Sequence, residues 1–382
     1  MKSRTRLALL MAGVLTAGLA NAQLEPEQLS VEELPDASPH WVFVGDVSFF
    51  HMPDSKVVLL NGDAETTNEA YLGMMSTGYN PAIEVAPDGS ELYSAETYYS
   101  RGTRGDREDI VTIFDTHTLK PVGEIDIPEK RHFSLLQPYG LVTANGGSDL
   151  LVFNVTPATS VSVVSLEDRK YLNEIPLPGC AFMYPAPEGR RFGSLCADGS
   201  FVVVDYDGDG KETDRNRMQL FDAGISHLFE KPVYVDDTLY FVSHEGTVHP
   251  VNWSGKMPEF GDTWQLASDS ERKAGWLPGG WQMEAGHSGS DSLYVLMHKG
   301  GENTHKDPGT EVWVYDTGSG DRSQRIELKN AAVSIQTTAD DEPLLFALRA
   351  DFSGMDVYDA QSGEYLHGYD GFADTPFLMR RP

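Results

Sequence analysis

The chain has 382 residues, with 58 acidic and 29 basic side chains and a formal charge of −29. Such acidity repels polyanions, which argues against nucleic acid and anionic membrane surfaces as partners. Two cysteines, Cys180 and Cys196, are too few for a disulfide-dense scaffold, and no Cys-x-x-Cys-His string offers covalent attachment to a c-type haem.

The first residues read as an export signal. Lys2, Arg4 and Arg6 precede a short apolar stretch, Leu7 to Leu19, and Ala20-Asn21-Ala22 supplies a small-residue cleavage pattern. The stretch is short for a membrane span, and no later segment is apolar for long enough to cross a bilayer. The expected organisation is a signal peptide over 1–22, a flexible acidic arm over 23–40, and one folded body over 41–382. Export implies an oxidising compartment, which favours a structural disulfide between Cys180 and Cys196.

From Trp41 the pattern is strand, turn, strand, in β-branched and aromatic runs such as Trp41–Val44, Lys56–Leu60 and Glu91–Ser94. The segment Asp269–Lys273 offers one short helical turn. A loose repeat recurs at Asn61-Gly62, Asp115-Thr116, Ser165-Leu166, Asp205-Tyr206, Asn252-Trp253, Asp316-Thr317 and Asp359-Ala360, about 40 to 64 residues apart. A second family of turns, among them Ala86–Gly89, Ala186–Gly189 and Val235–Asp237, precedes further strands. The expectation is an all-β fold: a single seven-bladed β-propeller of four-stranded blades, whose radial packing covers faces that a lone sheet would leave bare. The strand at Trp41–Val44 is placed to complete the last blade and close the ring.

Four strings are candidates for function. In Glu96–Asp115, Arg101, Arg104 and Arg107 lie close together beside Tyr98 and Tyr99. Forked, charge-assisted bonds and flat rings suit a partner, but a hairpin loop with solvated arginines fits the same residues. Asp205, Asp207 and Asp209 resemble the start of a calcium loop; the bidentate Glu that such a loop needs is replaced by Asn216. In Gly275–Gln282, Trp276 and Trp281 flank a Pro-Gly-Gly turn, as a channel-lining or partner-facing corner, or as rings packed between blades. The 11 histidines, including the neighbours His244 and His249 and the pair His298 and His305, form no zinc pattern. Neither a nucleophile elbow nor a phosphate loop is present.

Together these strings resemble the heavy chain of methylamine and aromatic amine dehydrogenases. The resemblance rests on Ser100–Asp109 with Phe114-Asp115, Ser160–Val164 after Pro157-Ala158, Cys180 and Cys196, Gly275–Gln282, His305-Lys306 and Asp359–Glu364. The arm before Trp41, the Asp205 loop and Phe372–Pro382 depart from it. It implies a periplasmic quinoprotein of two heavy and two light chains, with the heavy chain a seven-bladed propeller. The small Cys-rich light chain carries tryptophan tryptophylquinone and the catalytic base, and electrons leave to a cupredoxin such as amicyanin or azurin.

The heavy chain would hold no cofactor and no catalytic residue. Tyr98, Arg104, Arg107, Trp276, Trp281 and His305 become candidates for the light-chain interface or for loop ordering. Phe50, in Gly45–His51, matches the position that borders the substrate channel, where a Phe favours small amines by exclusion. A standalone exported binding propeller and a lactonase-like hydrolase are the alternatives.

Overall fold

Ser160–Ser165, Ser-Val-Ser-Val-Val-Ser, is buried along its whole length. So is Trp41–Asp46. Strands covered on both faces need apolar or small side chains, and these sequences supply them except at Asp46, whose carboxylate accepts from the amides of Asp374 and Thr375. The outermost strand Glu212–Gln219, by contrast, is charged and largely exposed, which blunts a sheet edge against pairing with another chain. These elements belong to a computed structural model that describes residues 33–47, 52–134, 136–224 and 226–382.

The strands form four sheets of four strands, one of five and one of eight. Neighbouring strands are antiparallel and mostly consecutive in the chain. The fold is an all-β propeller of four-stranded blades. Its core lies between sheets: Val42, Val44 and Leu60 of the first sheet pack with Phe346, Leu348 and Val357 near the chain's end.

The expected seven separate blades meet one difference. The 16-residue strand Arg322–Thr337 pairs through its first half with Gly309–Asp316 and through its second half with Leu344–Arg349. Eight strands therefore hydrogen-bond as one sheet. The cause is local: Leu328-Lys-Asn-Ala-Ala332 contains no Gly or Pro to break the strand.

Ring closure also differs in sense from the expectation. Trp41–Asp46 does pair with the end of the chain, but it does not complete the last blade. The terminal strand Pro376–Arg380 instead supplies the missing edge of the first sheet, in register Val44 with Met379. His40 fastens the same seam, with Nδ1 at 2.5 Å from Asp63 and Nε2 at 3.0 Å from Asp340. Of the expected arm, residues 33–40 lie against the body: the Leu34 amide donates to His117 O at 2.8 Å.

The helical turn at Asp269–Lys273 forms where expected, with Ser268 and Glu271 making a capping box. Thr67–Ala70 is a second short helix that periodicity did not signal. Among the described residues no helix is long and apolar enough to cross a membrane.

Candidate functional site

The strands Glu91–Tyr99 and Arg107–Asp115 pair directly, from Glu91 with Asp115 to Tyr99 with Arg107. The turn between them is a tight, exposed tip. Gly102 and Gly105 hold positive φ there, and a side chain at Gly105 would strike Ser100 Oγ at 2.3 Å. Arg101 and Arg104 lie on the tip and form no ion pair among the described residues.

Arg107 is placed differently. It grips Asp109 with Nε and Nη2, at 2.8 and 2.6 Å, and its guanidinium lies 4.8 Å from the Phe133 ring centre. Asp109 is buried; it also accepts from Thr97 Oγ1 at 2.7 Å and from the Arg131 amide at 3.1 Å. The hub of this cluster is Arg131, fully buried, which donates to Thr97 Oγ1 at 2.8 Å and to the carbonyl oxygens of Tyr79, Asn80 and His132. Burial pulls its pKa down to about 10, against the opposing pull of Asp109 and Glu96. Arg107 thus orders the base of the hairpin, while Arg104 is free to meet a partner. Arg131 was not legible in sequence; it sits in an ordinary charged run, Glu129-Lys-Arg-His132.

Tyr98 is 41% exposed and donates its hydroxyl to Glu96, a fully buried carboxylate that also accepts from the Gly78 amide at 2.9 Å. Burial raises the Glu96 pKa, and these hydrogen bonds counter part of the rise. The exposed face of Tyr98 and the tip arginines lie on the same hairpin.

The two tryptophans of Gly275–Gln282 make different contacts. Trp276 packs against Trp313 with ring centres 5.1 Å apart and Arg325 stacked 4.9 Å away, as an internal ring. Trp281 sits where the edge strand is interrupted between Trp276–Pro278 and Glu284–His287, both of which pair with Ser292–Lys299. Gly280 permits the excursion, because a Cβ there would meet Val333 O and Leu296 at 2.8 Å. The Trp281 indole donates to Leu136 O at 2.9 Å and packs on Phe377 at 4.9 Å. Lys231 lies 3.7 Å over its ring and donates to its carbonyl oxygen at 2.9 Å. Trp281 thus ties together loops and edge strands of several sheets. Both rings are buried.

His305 stacks on His244, with ring centres 4.3 Å apart and planes 8° apart, and His227 stands 5.9 Å from His244. Burial depresses His244 to about 4, helped by His305. Sequence proximity had suggested His244 with His249 and His298 with His305; the fold assembles a different trio. Among the described residues no group of three His, Cys, Asp or Glu side chains is placed to hold a metal.

Cys180 and Cys196 form a disulfide between directly paired positions of neighbouring strands. The Asp205 loop is occupied by internal partners. Arg191 grips Asp205, the amides of Asp209 and Lys211 donate to Asp207 at 2.9 Å, and Lys211 Nζ lies 3.3 Å from Asp209. Each of these carboxylates has an internal partner, and the turn uses its acids to brace itself. Phe50, the channel candidate, lies outside the described residues.

A family model described as methylamine dehydrogenase heavy chain (MADH) matches residues 38–380. The chain belongs to the methylamine dehydrogenase heavy chain family. It is 31% identical to the methylamine dehydrogenase heavy chain of Methylophilus methylotrophus, over 97% of this chain and 93% of that one. It is also 31% identical to that of Methylorubrum extorquens, over 96% and 89%. Solved structures share the fold at low identity. A protein from Lactobacillus plantarum superposes with a TM-score of 0.59 at 11% identity, over 89% of this chain and 98% of that one. The dihydro-heme d1 dehydrogenase NirN does so with 0.55 at 15% identity, over 92% and 77%.

Proposed function

We propose that this chain is the heavy subunit of a periplasmic amine dehydrogenase, exported by the segment 1–22, in an assembly of two heavy and two small Cys-rich light chains. The light chain carries tryptophan tryptophylquinone, which takes two electrons from a primary amine, favouring methylamine-type substrates, and yields aldehyde and ammonia. A cupredoxin such as amicyanin or azurin then accepts the electrons. The observation that carries the reading is the family match across nearly the whole body, residues 38–380.

The residues of this chain fit a supporting role. Its closest described tryptophan pair, Trp276 and Trp313, is internal packing: Arg325 covers both rings, and Trp313 Nε1 donates to Glu311 at 2.7 Å. That environment suits a structural ring pair, in keeping with a quinone carried by the partner. Tyr98, Arg101 and Arg104 present an exposed ring and two uncommitted cations suited to docking a second chain. Phe50 is assigned to the substrate channel.

The same reading gives the propeller seven blades. The eight-stranded sheet is taken as two four-stranded blades that share Arg322–Thr337, added to five other sheets.

Purification from cells that also make the light chain tests the proposal. The expected result is co-purification with a small Cys-rich polypeptide whose quinone absorbance a carbonyl reagent bleaches. A colourless chain that purifies alone in the presence of its candidate light chain would leave a standalone binding propeller.

A further inference from the structure

Next to Trp281, edge strands from several sheets wall a cavity of about 190 Å³, lined in part by Tyr139, Lys231, Glu284, Gln336 and Arg381. Its charges are unevenly matched. Arg380, at the same wall, is paired with Glu84 at 3.1 Å. Lys231, 7% exposed, donates to Trp281 O and forms no ion pair among the described residues. Arg381 likewise has no carboxylate there: its Nη1 is spread over the carbonyl oxygens of Gly286, Thr337 and Thr338, at 3.3 to 3.4 Å.

Glu284 faces these two cations from the other side of the balance. It is 1% exposed, and neither carboxyl oxygen has a hydrogen-bond partner among the described residues. Burial raises its pKa well above the ordinary range; the Val242 amide, short of bonding geometry, and Lys231 pull the other way without prevailing. A protonated Glu284 is a donor. The wall then presents a guanidinium fork, an ammonium and a carboxylic O–H, and neither cation is ion-paired among the described residues.

We propose that this cavity binds a small oxyanion, a carboxylate or a phosphate-type ion, gripped by Arg381 and Lys231. A planar fork and an ammonium match two or more oxygens of one ion, and buried cations are costly until such a partner arrives. The volume suits an ion of a few heavy atoms with water, since each water occupies about 30 Å³ in the liquid. A cation fits poorly, because two fixed positive charges face it. The acidity of the whole chain does not decide the matter: exposed charges are screened beyond about 8–10 Å, whereas Lys231 and Arg381 line the cavity itself.

Calorimetric titration of the assembled protein at constant ionic strength, with formate, acetate and phosphate in separate arms, tests this. Saturable binding of at least one ion is expected, and the responding arm tells a carboxylate from an inorganic source. Arg381→Gln should weaken it by about 10-fold or more, as loss of a charged hydrogen-bond partner does. Glu284→Gln should keep it, because the amide still donates an N–H. If Arg381→Gln does not fold, Lys231→Met is expected to show the same weakening. Absence of saturable heat with all three ions overturns the proposal. Loss of binding in Glu284→Gln with retention in Arg381→Gln or Lys231→Met also overturns it, because the two cations would then not be what grips the ion.

Discussion

The indole nitrogen of Trp281 donates to the carbonyl oxygen of Leu136 at 2.9 Å, across 145 positions of sequence. One side chain thereby couples a mid-chain loop to the Gly-Gly excursion. Removing the ring should open a cavity bordered by Phe377 and Lys231. Trp281→Ala is expected to cost about 3–5 kcal/mol in urea unfolding. Trp281→Phe keeps most of the packing and should cost about 1 kcal/mol for the lost hydrogen bond. Equal effects from the two would place the stabilisation elsewhere.

Arg131 serves Asp109, Thr97 and three carbonyl oxygens at once. Arg131→Met should destabilise by about 3–5 kcal/mol, because it leaves Thr97 Oγ1 and the carbonyl oxygens of Tyr79, Asn80 and His132 without their buried donor and removes the charge that offsets Asp109 and Glu96. Limited proteolysis should then cut within 100–106, where the wild-type hairpin is held at its base. A tip that stays resistant would mean that Arg107 alone orders it.

Charge reversal separates ordering from docking on the same hairpin. Arg101→Glu with Arg104→Glu should leave the unfolding midpoint within about 0.5 kcal/mol of wild type, since these side chains form no ion pair among the described residues. It should weaken light-chain association, most strongly at low salt. Arg107→Glu should instead lower stability. Association unaffected by the tip pair would make the tip a solvated turn.

His40 gives the closing seam a pH dependence. Burial works against its charge, but its bonds to Asp63 and Asp340 outweigh that and raise its pKa above 6.5. With the folded pKa above the unfolded one, the contribution is fully present below about pH 6.5 and is lost as pH rises through the folded value. Urea midpoints of wild type and His40→Gln should therefore differ at pH 5.5 and converge by pH 8.5. A constant gap would remove protonation from the account.

Phe50→Ala should shift turnover toward larger amines while the subunits still assemble. An unchanged substrate ranking in steady-state assays would take Phe50 out of the channel.

Local pattern carried the fold class. Alternating and continuous β-branched runs declared the strands, and Asp-Thr and Asn-Gly turns punctuated them, because these signals act within a few residues. The short helical turn at Asp269–Lys273 was equally local. Arg131, the His227–His244–His305 trio and the Glu284 cavity were not legible, since each is assembled from residues far apart in sequence. The Trp string was visible as unusual, but only the long-range contacts separate Trp281, bonded to Leu136 and packed on Phe377, from Trp276, stacked on Trp313. The Asp205 string was ambiguous in sequence because alternating aspartates serve a braced turn as well as they serve an ion.

The pairing of Pro376–Arg380 with Trp41–Asp46 sets an order of completion. The first sheet to leave the ribosome lacks one strand until the last residues of the chain arrive. A truncation of seven residues therefore removes part of the earliest-made element, and an affinity tag on Pro382 hangs beside Gly89 of the second sheet. Premature termination near the end should produce a chain that cannot latch, however well its middle has folded.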